Sequence, residues 1–151
     1  MVEQLSYAVD GWGVGELVFA DGLLAWHELP TPGGSATGGH PLVDRLRAYF
    51  SGAEESFSDL QLELDWCTNF QRGAIEAIRS IPYGETATYG EVAALAGRPN
   101  AQRAVGSVCA SNRFAVVVPC HRVVAADGLG SYGSLGVGYK RRLLELERVV
   151  L

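Results

Sequence analysis

The chain has 151 residues, 48% of them hydrophobic and 19% charged, which excludes a disordered polymer and fits one domain or two small ones. No apolar run approaches the ~18 residues of a membrane helix, and no basic stretch leads into an apolar one, so a cytoplasmic protein is expected. The net charge of −5 hides a split, −9 over residues 1–70 (two basic, eleven acidic) and +4 over 71–151 (ten basic, six acidic), so only the later part suits a polyanion.

Three β-rich apolar segments come first, near 4–10, 14–20 and 23–29, separated by the hairpin signals Asp10-Gly11 and Asp21-Gly22. The stretch 30–39 is rich in Pro, Gly, Ser and Thr and reads as a loop. Leu42, Val43, Leu46, Tyr49 and Phe50 recur at helical spacing, which predicts a helix over 41–50 closed by Gly52. Leu60, Leu62 and Leu64 alternate with polar residues and predict a half-buried strand. A small mixed α/β domain is expected over residues 1–65.

From residue 66 the pattern turns helical. Thr68-x-x-Gln71 is a capping box opening a helix with Phe70, Ala74, Ile75 and Ile78 on one face, ended by Pro82 and Gly84. Thr88-x-x-Glu91 is a second box, whose short helix stops at Gly97; Arg98-Pro99-Asn100 then turns into a third helix, roughly 100–110. Two short helices joined by a tight turn make a helix-turn-helix candidate, although hairpins of this size also serve purely structural ends. The apolar run 115–118 predicts a buried strand stopped by Pro119, and a glycine-rich loop leads to a last helix near 138–149. The expected fold class is α+β, with a mostly helical second domain over 66–151.

The three cysteines, Cys67, Cys109 and Cys120, lack any C-x-x-C spacing, so neither a disulfide framework nor a metal site is expected. Cys67 and Cys109 read as small buried hydrophobes. Cys120 differs in its neighbours, Pro119-Cys120-His121-Arg122. A proline after a buried segment forces a turn that can hold the next side chain at a pocket wall. A thiol attacks as thiolate, and an adjacent imidazole is a suitable base. Glu147 is the candidate carboxylate to orient that imidazole. On these residues alone a cysteine hydrolase remains open.

The motifs Ile81-Pro82-Tyr83-Gly84, Thr88-Tyr89-Gly90-Glu91, Arg103-Ala104-Val105-Gly106, Asn112, Pro119-Cys120-His121-Arg122-Val123, Lys140, Leu143-Leu144 and Glu147 settle the direction of the reading. Through them residues 70–147 resemble the O6-alkylguanine-DNA alkyltransferase (methylated-DNA–protein-cysteine methyltransferase) family. The resemblance implies a small ribonuclease-H-like N-terminal domain and a helix-turn-helix in the second. It implies irreversible, single-use transfer of an alkyl group from guanine O6 in double-stranded DNA, O4 of thymine being a further possible donor, by a monomer without cofactor. Cys120 is then the acceptor, His121 its base, Glu147 the residue orienting His121, and Asn112 the brace between recognition helix and active site. Arg103 replaces the extruded guanine in the base stack, and Tyr89 presses on the phosphate of the flipped nucleotide. Gly90, Arg98, Ala101 and Gly106 complete the DNA face. Pro119, Val123, Tyr132, Gly133 and Ser134 line the guanine pocket.

Arg113 stands where the family usually has proline, Ser131 where it has glycine, and the Tyr132-to-Lys140 spacing is one residue longer. The runner-up is a non-catalytic alkyltransferase-like protein that only binds the lesion; such relatives usually lack the acceptor cysteine. If His121 and Glu147 act as implied, the Cys120 pKa is expected well below the ~8.5 of free cysteine.

Overall fold

The computed structural model describes all residues 1–151, as two compact units of a mixed α/β chain. One comprises Met1–Asp65 with Arg113–Val117, the other Trp66–Asn112 with Val118–Leu151. The second unit is thus interrupted where an unbroken span was expected.

In the first unit, β1 (Val2–Val9), β2 (Gly13–Ala20) and β3 (Leu23–Thr31) form an antiparallel meander in the order β1-β2-β3. The β2–β3 turn has Asp21 at φ 51° and Gly22 at φ 82°, the paired positive φ that two-residue hairpins require. Alternation buries Leu5, Tyr7 and Val9 on β1, and Leu17 and Phe19 on β2. Helix α1 (Pro41–Phe50) starts with Pro41 behind His40, whose ring accepts the Leu42 N–H, and buries Leu42, Val43, Leu46, Tyr49 and Phe50.

Two expected strands are not strands. At 60–64 only Leu62 bridges to Leu24, so the alternation has a single rung. At 115–118 the three valines are buried, but Val116 has φ 70° and Val117 N–H donates to Ala115 O at 2.8 Å. That is a γ-turn of the strained, positive-φ kind, which breaks any ladder. A β-branched residue holds this geometry only where its surroundings impose it.

The surroundings centre on His27. Its backbone N–H donates to Arg113 O at 2.8 Å, and its Nδ1–H to Ala115 O at 2.5 Å. Tyr7 Oη–H then donates to Nε2. Burial outweighs the Ala115 bond and lowers the His27 pKa to about 4. Between its ordinary 6.5 and about 4, the unfolded chain binds a proton that the folded histidine refuses. Stability is therefore full above that window and falls as the pH drops through it, by roughly 3 kcal/mol in all. His27→Gln should flatten this limb in urea midpoints measured against pH. A slope as steep as wild type would clear His27 of the effect.

In the second unit, α2 (Asn69–Arg79) and α3 (Tyr89–Leu95) open with the two expected capping boxes, Thr68/Gln71 and Thr88/Glu91, each bonded in both directions. Strand β4 (Ala87–Thr88) pairs in parallel with β5 (Val123–Val124), which sets the start of α3 beside the Cys120 segment. Gly97 (φ 83°) and Asn100 (φ 72°) turn the chain into α4 (Gln102–Ala110). Helix α5 (Gly136–Leu146) ends with Glu147 as its C-cap and Arg148 at φ 65°. No helix is long and apolar enough to cross a membrane.

Candidate active site

Cys120 owes its position to two successive turns. Pro119 has φ −79° and ψ 64°, an inverse γ-turn, closed by Cys120 N–H donating to Val118 O at 2.8 Å. Cys120–Arg122 then form one turn of 3₁₀ helix. The Val118 carbonyl also accepts Asn112 Nδ2–H at 2.9 Å, so the residue just past α4 braces the turn that presents the thiol. Cys120 is 2% exposed.

Behind it lies a buried polar cluster. Glu147 accepts from His121 Nε2 at 2.6 Å, from Arg122 Nε at 2.8 Å and Nη2 at 3.1 Å, and from Gly84 N–H at 3.1 Å. These bonds fill the carboxylate's roughly four acceptor directions. Arg122 gives its remaining Nη1–H to Ile81 O at 2.7 Å and lies over the Tyr83 ring. Burial alone would raise the Glu147 pKa, but the bonds and charges of His121 and Arg122 hold it well below the carboxylate range.

That geometry fixes the histidine. An ionised carboxylate only accepts, so Nε2 carries the hydrogen and the neutral ring keeps its lone pair on Nδ1. Burial lowers the His121 pKa, and Arg122 and Lys140 lower it further against the pull of Glu147. The imidazole is neutral at physiological pH, as a base must be.

The thiol departs from expectation. Its pKa is pushed up, not down: the Cys109 thiol bonds to it, and burial disfavours its charge. Lys140 pulls the other way. This ammonium is fully buried and donates to Val123 O at 2.6 Å and Ser131 O at 3.2 Å, with no carboxylate partner. Cys109, Arg122 and Lys140 were given no role by the sequence reading. Arg122 did carry a signal, as a cation set between two apolar segments, whereas Lys140 is hidden in the basic run Lys140-Arg141-Arg142.

The remaining expected residues divide into two groups. Near the thiol, Val123 follows the 3₁₀ turn, and Tyr132 is close enough to feel the Cys120 charge. Tyr89 starts α3 with its ring 5.7 Å from Lys140 Nζ and its hydroxyl against Gly130, where a Cβ would come within 2.9 Å. Gly133 and Ser134 lie exposed in a further 3₁₀ turn. Away from the thiol, Arg103 is exposed on the first turn of α4, Ala101 precedes that helix, and Gly90 abuts Gln102. Arg98 sits over the Phe70 ring at 5.2 Å. A Cβ on Gly106 would meet nothing within 4 Å.

Residues 69–149 match the family described as 6-O-methylguanine DNA methyltransferase, DNA binding domain. A methylated-DNA–protein-cysteine methyltransferase of Mycobacterium tuberculosis is 46% identical over 123 residues, 81% of this chain and 70% of its own. One from Methanosarcina barkeri is 49% identical over 104 residues, 68% of this chain and 64% of its own. The crystal structure of M. tuberculosis OGT in complex with DNA has a TM-score of 0.80 at 37% identity, covering 96% of this chain and 92% of that one. The M. tuberculosis O6-methylguanine methyltransferase gives 0.81 at 37% identity, over 98% and 93%.

Proposed function

Since the chain belongs to the methylated-DNA–protein-cysteine methyltransferase family, we propose that it repairs O6-alkylguanine in double-stranded DNA by taking the alkyl group onto Cys120, once per molecule. The observation that carries this reading is the buried series Cys120, neutral His121, Glu147. Nδ1 of His121 takes the Cys120 proton, directly or through a water, and Glu147 stabilises the imidazolium formed. The thiolate attacks the carbon on O6, an S–C bond forms, and the C–O electrons return to guanine, which gains a proton. A neutral thioether offers water no good leaving group, so the acceptor is consumed. Incubation with an O6-methylguanine duplex, followed by mass measurement of the Cys120 peptide, tests the assignment.

The reacting carbon sits on a base edge inside the duplex, so the nucleotide must be flipped out, at a cost of a few kcal/mol. We read α3 and α4 as a helix-turn-helix and α4 as the helix that enters the DNA groove. Three features support this. The N-terminus of α4 has no side-chain cap and no acid in its first turn, which leaves backbone N–H groups for phosphate. Arg103 projects from that turn. Gly106 is small although no protein atom requires it, which fits close approach of a partner. Tyr89, Gly90, Arg98 and Ala101 would complete the DNA contact. Pro119, Val123, Tyr132, Gly133 and Ser134 would line the guanine pocket. Residues 66–151 thus carry both DNA contact and chemistry in one chain, so a monomer suffices. Residues 1–65 are read as the ribonuclease-H-like part. A purely lesion-binding role leaves Cys120 unexplained.

Arg103→Ala should slow repair of duplex DNA by ~10-fold or more while changing the reaction with free O6-benzylguanine little, because only the duplex requires flipping. Equal losses on both substrates would remove Arg103 from that step.

A further inference from the structure

The residues Arg113–Val117 belong to the first unit, although their neighbours Asn112 and Val118 belong to the second. One residue of β3 holds them there. His27 N–H donates to Arg113 O at 2.8 Å, its Nδ1–H donates to Ala115 O at 2.5 Å, and Phe114, 1% exposed, pairs with it in a parallel bridge. Tyr7 Oη–H occupies Nε2, which keeps the ring hydrogen on Nδ1, and both rings are buried. The Ala115 carbonyl also accepts Val117 N–H, the bond that closes the turn at Val116. A valine keeps a positive φ only where its neighbours impose it, and the histidine bond fixes the carbonyl around which this turn closes. Four residues separate Ala115 from Cys120. They are three buried valines and Pro119, whose ring fixes its φ. So short and packed a segment passes a displacement on instead of absorbing it. At its far end Val118 O accepts both Asn112 Nδ2–H and Cys120 N–H.

We propose that His27 is a positioning residue for the transfer reaction: its Nδ1–H sets the carbonyl from which the Val116 turn, and through it the Cys120 thiol, takes its place. This assignment rests on the acceptor role of Cys120. Asn112 steadies the thiol-bearing turn from the α4 side. His27 does so from β3, through the chain itself. The sulfur must meet the alkyl carbon at ~3–3.5 Å and in line with the breaking C–O bond, so an error of ~1 Å in its position costs up to ~10²-fold in rate. The acceptor, its base and the DNA-contact residues all lie in the second unit. Through His27 the first unit gains a part in the chemistry that those residues do not give it.

Two amides tell the ring nitrogens apart. Asparagine puts an N–H where Nδ1–H stood and still holds Ala115 O, whereas glutamine reaches the place of Nε2 and leaves that carbonyl without its donor. His27→Gln should slow methyl transfer from a saturating O6-methylguanine duplex by ~10-fold or more. His27→Asn should rescue the rate to within a few-fold of wild type, although both variants lack the imidazole and its packing. Rate constants are read from the molecules that react, so a lowered folded fraction reduces the burst amplitude and leaves the comparison standing. The loss should be as large on free O6-benzylguanine, because the thiol and not the DNA contact is displaced. Equal rates for His27→Gln and wild type overturn the proposal, as does His27→Asn as slow as His27→Gln, or a loss confined to duplex DNA. If His27→Gln yields no folded protein, His27→Leu, equally unable to donate, takes its place in the comparison. A wild type that accepts no alkyl group defeats the repair reading itself, whereas a reactive wild type beside an unslowed His27→Gln defeats the positioning role alone.

Discussion

Cys120→Ser is expected to abolish methyl acceptance, with a loss on the order of 10³-fold or more, the scale on which removal of a nucleophile acts. Serine keeps the size of the side chain and the turn that presents it, since Pro119, Val118 O and Asn112 hold the backbone alone. A hydroxyl there is far less acidic than the thiol, and neutral His121 is too weak a base to make it a nucleophile. The wild-type protein should gain one methyl on the tryptic peptide 114–122 and then stop, so the amplitude of a single burst counts active molecules. Two outcomes would sink the mechanism: turnover beyond one lesion per protein, or methyl found on Cys67 or Cys109 instead.

Glu147→Gln should have the second largest effect, on stability and on rate, and the two can be separated. Removing the charge strands the Arg122 guanidinium in a buried site, which costs about 3–5 kcal/mol. The sign with pH follows from the depressed Glu147 pKa. Its contribution is complete above the unfolded carboxylate pKa, ~4.3, and is lost as the pH falls toward the folded value. Wild type and variant should therefore converge in acid and diverge at neutral pH. Transfer should slow on the order of 10²-fold or more at neutral pH, the scale of general acid–base assistance, and recover in part in alkali, where the thiolate forms unaided. Combining Glu147→Gln with Arg122→Met should restore much of the stability without restoring the rate. If the double variant regains both, or if Glu147→Gln keeps the wild-type pH profile, Glu147 is an anchor for α5 and no part of the proton path.

Local rules made much of the chain readable. Thr68/Gln71 and Thr88/Glu91 each bond as drawn from four-residue patterns, because a capping box is satisfied within its own turn. The helix at Pro41–Phe50 and the two Asp-Gly hairpins are equally local. What escaped depends on partners distant in sequence. Leu60, Leu62 and Leu64 have strand periodicity, but a strand needs a neighbour along its length, and only Leu62 finds one. Four apolar residues at 115–118 promise burial, which the three valines have, yet nothing in their composition announces Val116 at positive φ. The influence of Cys109 on the Cys120 thiol arises from the path of the chain between them. With no helical or strand spacing to mark it, the expected fall in the thiol pKa became a rise.

The bonds that make up the acceptor site have a consequence for folding. Gly84 and Glu147 are 63 residues apart, Ile81 and Arg122 are 41 apart, and Arg122 and Glu147 are 25 apart. Contacts of such separation form only after the intervening loops have closed, late on the route to the native state. A nascent or partly melted chain therefore carries Cys120 as an ordinary, unassisted thiol. Competence to accept a methyl should then follow the fraction of fully folded molecules through a denaturant transition. The burst amplitude would report global folding, and the single-use cysteine is not armed before the fold that guides it is complete.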